Sequence, residues 1–157
     1  MTRTRDYTGL AVFIAINIAV SALGGWATAG SVGTWYQGLA KPAFNPPDWI
    51  FAPVWSALYL MIAIAGWRVW RRGGAEVRGA LTVYAVQLAL NLSWSFVFFG
   101  ARLIGPALAV IAVLLAAILA NAALFWRIDR MAGALLVPYA AWVSFAALLN
   151  AALWRLN

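Results

Sequence analysis

The run LIGPALAVIAVLLAAILANAALFW, residues 103–126, decides the fold class of this chain. It contains no charged residue, and Asn121 is its only strongly polar side chain. About 20 consecutive apolar residues are enough for an α-helix to cross the hydrocarbon core of a bilayer. The run therefore predicts a transmembrane helix.

Four further stretches of the same character predict five spanning helices in a single domain over residues 1–157. Hydrophobic residues make up 66% of the chain and charged residues 10%, whereas soluble domains usually carry about 25% charged residues. We therefore predict an all-α integral membrane protein, a five-helix bundle with helices at about 7–29, 46–70, 79–99, 103–126 and 131–154. Asn17 and Asn121 each stand alone among apolar residues and are expected to hydrogen-bond across helices.

The composition excludes several kinds of chemistry. There is no cysteine and no histidine, so disulfides, thiolate metal sites and the commonest general base are absent. The four acids are Asp6, Asp48, Glu76 and Asp129, all at predicted helix ends or in loops, so no carboxylate relay crosses the membrane. We expect no metal site and no required cofactor. The net charge of +7 comes mostly from arginines between the apolar stretches, which indicates membrane topology rather than nucleic-acid binding.

Lysine and arginine are distributed unequally between the two ends of the predicted helices. The N-terminal side carries eight, at positions 3, 5, 68, 71, 72, 78, 127 and 130, and the other side carries three, at positions 41, 102 and 155. Cytoplasmic loops are enriched in these residues. The N-terminus is therefore predicted to be cytoplasmic if the protein lies in an inner membrane, whereas for an outer membrane the orientation stays open.

The stretch WYQGLAKPAFNPPDWIFAPVW, residues 35–55, is the one long segment that is not continuously apolar. It holds three of the ten tryptophans, four of the six prolines and the only lysine. Irregular backbone cannot lie against lipid, because its polar groups would be unpaired in hydrocarbon. Residues 30–45 are therefore predicted to be a loop that covers a cavity or lies at the membrane surface.

The start of the second helix is predicted from the same segment. Asn45 has the residue type of an N-cap, and Pro46 and Pro47 follow where a missing N–H costs little. Pro53 would then lie two turns inside the helix and is expected to bend it.

Polar and aromatic side chains form stripes on three of the predicted helices. The stripes consist of Gln87, Asn91, Trp94 and Phe98 on the third helix, Trp55, Tyr59 and Ile62 on the second, and Trp142, Ala146 and Leu149 on the fifth. Counted from the helix ends at 1.5 Å per residue, Trp55, Asn91 and Ala146 lie roughly 12–14 Å below the face that carries the loop. The three helices are thus predicted to line one cavity, the alternative being that the deep tryptophans only fill the core.

Three blocks of sequence together resemble the translocator protein family, also called the tryptophan-rich sensory protein or peripheral-type benzodiazepine receptor family. The blocks are Trp35-Tyr36 with Leu39 to Pro42, Phe44 to Pro47, Trp49 and Pro53 to Trp55; Gln87 to Asn91 with Trp94 and Phe98 to Gly100; and Pro138-Tyr139 with Trp142, Phe145-Ala146 and Leu149-Asn150. They occur in the family's order with the family's number of spans. The resemblance therefore extends over nearly the whole chain.

The resemblance implies a bacterial membrane protein, commonly a homodimer, whose pocket binds porphyrins and isoquinoline- or benzodiazepine-type drugs. Bacterial relatives are linked to tetrapyrrole regulation and stress. With the stripes, it predicts as ligand-binding residues Trp35, Pro42, Asn45, Pro47, Trp55, Tyr59, Gln87, Asn91, Trp94, Phe98, Trp142, Phe145, Ala146 and Leu149. The expected partners are membrane lipid, a porphyrin or drug-like molecule, and a second copy of the chain.

One departure from the family pattern concerns sterols. Animal members carry a cholesterol-recognition pattern near the C-terminus, with a tyrosine between a Leu or Val and an Arg. Here Leu149 and Arg155 are present, but Ala151 stands where the tyrosine is expected. The resemblance therefore does not imply cholesterol as the natural ligand.

Three functions are open from the sequence. The first is a receptor or sensor for a porphyrin or haem precursor, in which Lys41 pairs with a propionate at the pocket mouth. The second is light-dependent degradation of the porphyrin, with Trp55 and Trp142 as the oxidised residues, because no acid–base pair or nucleophile favours ordinary hydrolysis or group transfer. The third is transport of porphyrin or lipid, although an odd number of helices without an inverted repeat is unlike the common carriers.

Overall fold

A computed structural model describes residues 2–157 and confirms an all-helical bundle. The helices are α1 Arg3–Val32, α2 Phe51–Arg72, α3 Ala75–Ser95, α4 Ile104–Ile128, α5 Arg130–Leu135 and α6 Val137–Leu156. Five helical segments in the described chain are long and apolar enough to cross a membrane, with α5 and α6 together forming the fifth. The chain is therefore a multi-pass integral membrane protein.

The core of the bundle lies between α2, α3, α4 and the α5–α6 pair. Its fully buried side chains include Ile62 and Val69 of α2, Ile118 and Phe125 of α4, and Tyr139 of α6. Helix α1 packs on the outside through a narrow seam whose buried residues are Gly9, Asn17, Gly24 and Ser31. These residues recur every seven or eight positions, so they lie on one face of the helix and leave the other faces to lipid.

The two isolated asparagines make the expected hydrogen bonds between helices. Asn17 donates from Nδ2 to the Tyr84 hydroxyl at 2.8 Å, joining α1 to α3. Asn121 donates from Nδ2 to the Ala80 carbonyl oxygen at 3.3 Å, joining α4 to α3.

The predicted start of the second helix was wrong in its details. Pro46 and Pro47 are not helical; a 3₁₀ turn, Asp48–Ile50, precedes α2. Asn45 does not cap α2, whose N-cap position is Ile50. Pro53 consequently lies in the first turn of α2, where no intrahelical N–H donor is needed, so the reason for a bend is absent.

The ends of the third and fifth spans also differ from the prediction. Helix α3 continues into a wider π-helical turn, Phe96–Gly100, and Arg102 closes the connection to α4 with a φ of 60°. The fifth span is interrupted at Leu136 and resumes at Val137. Pro138 explains the interruption, because a proline inside a helix cannot donate to the carbonyl four residues earlier and its ring crowds that group.

Ion pairs tie the helices together at the face that carries the N-terminus. Asp129, buried between α4 and α5, accepts hydrogen bonds from Arg68 at 3.1 Å, from Arg72 at 2.9 Å and from the Ala132 N–H at 3.0 Å. Burial acts to raise the pKa of Asp129, but the hydrogen bonds from Arg72, Ala132 and Arg68 outweigh it and hold this pKa below its ordinary value. The carboxylate is therefore ionised at neutral pH and joins the second span to the connection between the fourth and the fifth.

Candidate ligand-binding site

A cavity of about 410 Å³ lies in the half of the bundle that faces the loop between α1 and α2. It is lined by the C-terminal half of α1, the start of α2 with the 3₁₀ turn before it, the end of α3 with the π-helical turn after it, and α6 from Trp142 to Leu153. Tyr36 of the loop lies at its edge. Helix α4 contributes no lining residue and packs behind α3 and α6. The volume of the cavity lies in the range usual for small-molecule sites.

Three tryptophans form the walls of this cavity, one from each of α2, α3 and α6. The Trp55 ring lies 5.6 Å from that of Tyr59 and meets Tyr139 edge-on at 6.3 Å. The Trp94 ring is stacked on Phe98 at 5.2 Å. Trp142 meets Phe51 edge-on, with ring centroids 5.9 Å apart. Because each indole is held by a second aromatic ring, the walls are arranged before any ligand arrives.

A chain of hydrogen bonds runs from the cavity into the core. The Tyr59 hydroxyl donates to Asn91 Oδ1 at 2.7 Å, and Asn91 Nδ2 donates to the Tyr139 hydroxyl oxygen at 2.8 Å. Tyr139 in turn donates to Gln87 Oε1 at 2.8 Å. The chain links α2, α3 and α6, so it fixes the relative positions of the helices that carry the aromatic walls.

Two donors near the cavity have no hydrogen-bond partner in residues 2–157. One is the indole Nε1 of Trp142, which belongs to a cavity-lining residue, and the other is Nε2 of Gln87 at the buried end of the chain. By contrast, the indole of Trp94 donates to Asn150 Oδ1 at 3.0 Å. An unpaired buried donor is costly, so a ligand acceptor that reached the Trp142 indole would gain a full hydrogen bond.

The loop over the cavity is held by side-chain hydrogen bonds at three places. The buried Tyr36 donates from its hydroxyl to Asn45 Oδ1 at 2.8 Å. Gln37 donates from Nε2 to Asp48 Oδ2 at 2.6 Å. Asn157 bonds the Ala40 backbone twice, accepting from its N–H at 3.0 Å and donating to its carbonyl oxygen at 2.9 Å. The loop is thus joined both to the start of α2 and to the last residue beyond α6.

Comparison with known proteins gives the chain its family. Residues 13–155 match the family model described as the TspO/MBR family. The chain belongs to the TspO/MBR family. It is 35% identical to the protein CrtK of Rhodobacter capsulatus over 153 residues, which is 94% of each chain. It is 40% identical to a tryptophan-rich sensory protein of Cereibacter sphaeroides over 88% of each chain, and 40% identical to the translocator protein of Sus scrofa over 78% of this chain and 75% of that one.

Eight of the fourteen residues predicted for the site line the cavity of this TspO/MBR family member. They are Trp55, Tyr59, Asn91, Trp94, Phe98, Trp142, Ala146 and Leu149. The depth count used for the prediction was wrong for α2, which begins at Phe51, so that Trp55 is only four residues inside it. The 3₁₀ turn Asp48–Ile50 extends this span by three residues toward the loop.

The remaining six predicted residues lie around the cavity rather than in its wall. They are Trp35, Pro42, Asn45, Pro47, Gln87 and Phe145. Trp35 meets Phe98 edge-on at 5.7 Å, and Phe145 packs between Trp142 and Phe44. Gln87 lies in the core behind Tyr139, so it supports the wall and does not form it.

The contribution of α1 to the cavity was not predicted from the sequence. Ser21, Gly24, Gly25, Thr28 and Ala29 line it from that helix. The available signal was their spacing, since small residues at i, i+3, i+4, i+7 and i+8 form one helix face along which a neighbouring ring can approach. Asp48 and Phe51, at the start of α2, also line the cavity and were not predicted.

Proposed function

We propose that this protein is a membrane receptor or sensor that binds a porphyrin, or another flat aromatic molecule such as an isoquinoline- or benzodiazepine-type drug. The observation that carries the proposal is the set of three indoles, Trp55, Trp94 and Trp142, on one cavity. The names of relatives, which include a sensory protein and a translocator protein, support a receptor role for the family.

The chemistry of the cavity favours a broad apolar face with few polar groups. Aromatic pairs contribute about 0.5–1.5 kcal/mol beyond the area that they bury, and a flat macrocycle can contact several rings at once. The hydroxyl of Tyr59 and the amide of Asn91 are already engaged with each other, so they orient the wall more than they bind the ligand. The indole N–H of Trp142 is unpaired but buried, so it can donate to the ligand only where the ring turns this edge toward the cavity.

The expected pairing between Lys41 and a porphyrin propionate finds no support in the geometry. Lys41 is not among the cavity-lining residues. Its ammonium donates to the carbonyl oxygens of Gln37 and Leu39 at 3.0 and 3.3 Å and lies 5.0 Å from the ring of Tyr36. We therefore assign Lys41 to the loop structure in this proposal.

The test is a titration of protoporphyrin IX against the purified protein, followed by the porphyrin absorbance and by tryptophan quenching. For Trp142→Ala we expect an affinity about tenfold lower, because the loss of stacking and of buried area together reaches about 1.4 kcal/mol or more. The matched control is Trp126→Phe, since Trp126 is half exposed at the end of α4 and does not line the cavity. Equal affinity for Trp142→Ala and the wild type would refute the assignment of the cavity as the binding site.

A second candidate function is light-dependent degradation of the bound porphyrin, favoured by the packing around Trp55. An excited porphyrin can take one electron from an indole, leaving a porphyrin radical anion and an indole radical cation. Tyr59 and Tyr139 both pack on Trp55 and could reduce that indole in turn. The loss of porphyrin absorbance under light should then disappear in the Trp55→Phe/Trp142→Phe double variant but not in Trp126→Phe. If the loss persists in the double variant, free photochemistry accounts for it.

A further inference from the structure

The cavity contains one charged side chain, and it is acidic. Asp48, in the 3₁₀ turn before α2, is the only Asp, Glu, Lys or Arg among the residues that line it. Its side chain is exposed on the loop side, which places the carboxylate at the mouth of the cavity rather than at its floor. The other lining residues are uncharged, so none of them neutralises the Asp48 carboxylate.

The carboxylate keeps one oxygen free. Oδ2 of Asp48 accepts from Gln37 at 2.6 Å, whereas Oδ1 accepts no hydrogen bond from the described residues and takes part in no ion pair there. Gln37 is neutral, so it orients the carboxylate and leaves its charge in place. The group is therefore held in position with an unused acceptor.

Two cations of the loop face bond to groups other than Asp48. Lys41 is bonded to two carbonyl oxygens of the loop and lies over the Tyr36 ring. Arg102 donates to the Ser31 hydroxyl at 3.4 Å. None of the three cations of the loop face, Lys41, Arg102 and Arg155, lines the cavity, so Asp48 is the one charged side chain of the lining within residues 2–157.

The lining residue Tyr36 is affected by the charge of Asp48. Burial, and after it the charge of Asp48, raise the pKa of the Tyr36 phenol to about 12. Tyr36 is thus a neutral donor at physiological pH, and its hydroxyl is already used by Asn45. It cannot neutralise a negative group brought by a ligand.

We infer that Asp48 sets the charge specificity of the cavity: it favours ligands whose edge at the mouth is cationic or a hydrogen-bond donor, and it disfavours ligands that place a carboxylate there. This inference rests on the proposed function, because it concerns the ligand of the same cavity. Its physical basis is that like charges repel and opposite charges attract more strongly beside a low-dielectric wall than in open water.

The experiment compares three ligands with the same macrocycle: protoporphyrin IX, its dimethyl ester, and a derivative in which both propionates end in a protonated amine. Each is titrated against the wild type and Asp48→Asn at low salt. Asparagine keeps the size of the side chain and an acceptor for Gln37. We expect Asp48→Asn to bind the free acid about three- to tenfold more tightly, the ester equally, and the amine about three- to tenfold more weakly. These differences should shrink in about 1 M salt, where the Debye length falls to about 3 Å.

The matched control is Asp6→Asn, which removes a carboxylate paired with Arg71 near the N-terminus, away from the cavity lining. It should leave all three affinities unchanged. Equal responses of the three ligands to Asp48→Asn, or no response at all, would overturn the inference while the proposed function stands. Failure of all three porphyrins to bind the wild type would overturn both.

Discussion

Tyr139 is the residue on which the hydrogen-bond chain behind the cavity depends. Its fully buried hydroxyl accepts from Asn91 and donates to Gln87. Tyr139→Phe would remove the hydrogen bond to Oε1 of Gln87. Because Nε2 of Gln87 already has no partner in the described chain, neither polar atom of this side chain would then be hydrogen-bonded. Buried unpaired groups cost about 1–3 kcal/mol, and hydrogen bonds within membranes average about 0.6 kcal/mol.

For Tyr139→Phe we therefore expect the free energy of unfolding in detergent to fall by about 1–2 kcal/mol. Tyr7→Phe is the matched control, because Tyr7 is 65% exposed and the same atom is removed. A Tyr139→Phe protein as stable as the Tyr7→Phe protein would show that the chain contributes no net stability.

Asp129 makes the stability of the protein dependent on pH. Its pKa is lowered in the folded state, because hydrogen bonds from Arg72, Ala132 and Arg68 outweigh the effect of burial. A carboxyl whose folded pKa is depressed stabilises the fold above its unfolded pKa, near 3.8, and loses this contribution as the pH falls through the folded value. We expect the melting temperature in detergent to drop as the pH falls below about 4.

The Asp129→Asn variant should have a lower melting temperature at pH 7, because Arg68 and Arg72 then face a neutral group. Its melting temperature should also fall less than that of the wild type as the pH is lowered. Glu76→Gln serves as the control, since Glu76 is exposed and forms no ion pair within residues 2–157. Parallel acid profiles for Asp129→Asn and the wild type would contradict the assignment.

At the scale of helices, α5 packs on α4 through a glycine with no space for a larger residue. A Cβ at Gly133 would lie 2.7 Å from Cα and 2.8 Å from N of Trp126. Because these are backbone atoms, a change of rotamer cannot relieve the contact, and α5 would have to move. Overpacking of this kind typically costs about 1–3 kcal/mol.

We expect Gly133→Ala to lower the free energy of unfolding by about 1–3 kcal/mol. The same substitution at Gly79, in α3, meets no atom within 4 Å and should stabilise the protein by up to about 1 kcal/mol through helix propensity. Opposite signs for the two variants are the expected result in chemical or thermal unfolding. Equal effects would mean that the α4–α5 contact adjusts freely.

At the scale of the whole molecule, the loop over the cavity is joined to the far end of the chain. The two hydrogen bonds between Asn157 and the Ala40 backbone link the residue after α6 to the loop between α1 and α2. If the ligand enters beneath this loop, breaking these bonds should ease both entry and exit. Affinity would change less than the two rates, because the free and bound states both gain mobility.

For Asn157→Ala we expect faster hydrogen exchange over residues 37–45 and faster association and dissociation of protoporphyrin IX. Thr8→Ala is the control, since its hydroxyl bonds only to Thr4 at the opposite end of the bundle. Unchanged exchange in Asn157→Ala would show that the bonds of Tyr36 and Gln37 hold the loop by themselves.

The number and approximate position of the helices could be read from the sequence. In a bilayer the backbone N–H and C=O groups must be paired within the protein, so an uncharged run such as residues 103–126 is expected to form a helix. The irregular segment was predicted as a loop over residues 30–45, over a cavity or at the membrane surface, because such a backbone is excluded from lipid. The tryptophan stripes also indicated which faces of α2, α3 and α6 meet, because the residues of each stripe are three or four positions apart and therefore lie on one face of the helix.

Which side chains form the wall of the cavity was decided by the tertiary structure. Gln87 and Asn91 share a helix face, yet Tyr139 of α6 bonds to both and only Asn91 reaches the cavity. The small residues of α1 became part of the site only when that helix packed against α2 and α3. The charge of Asp48 matters because no cation lines the same cavity. These outcomes depend on distances between helices that are far apart in the chain, whereas helix formation in a membrane depends on residues that are close together.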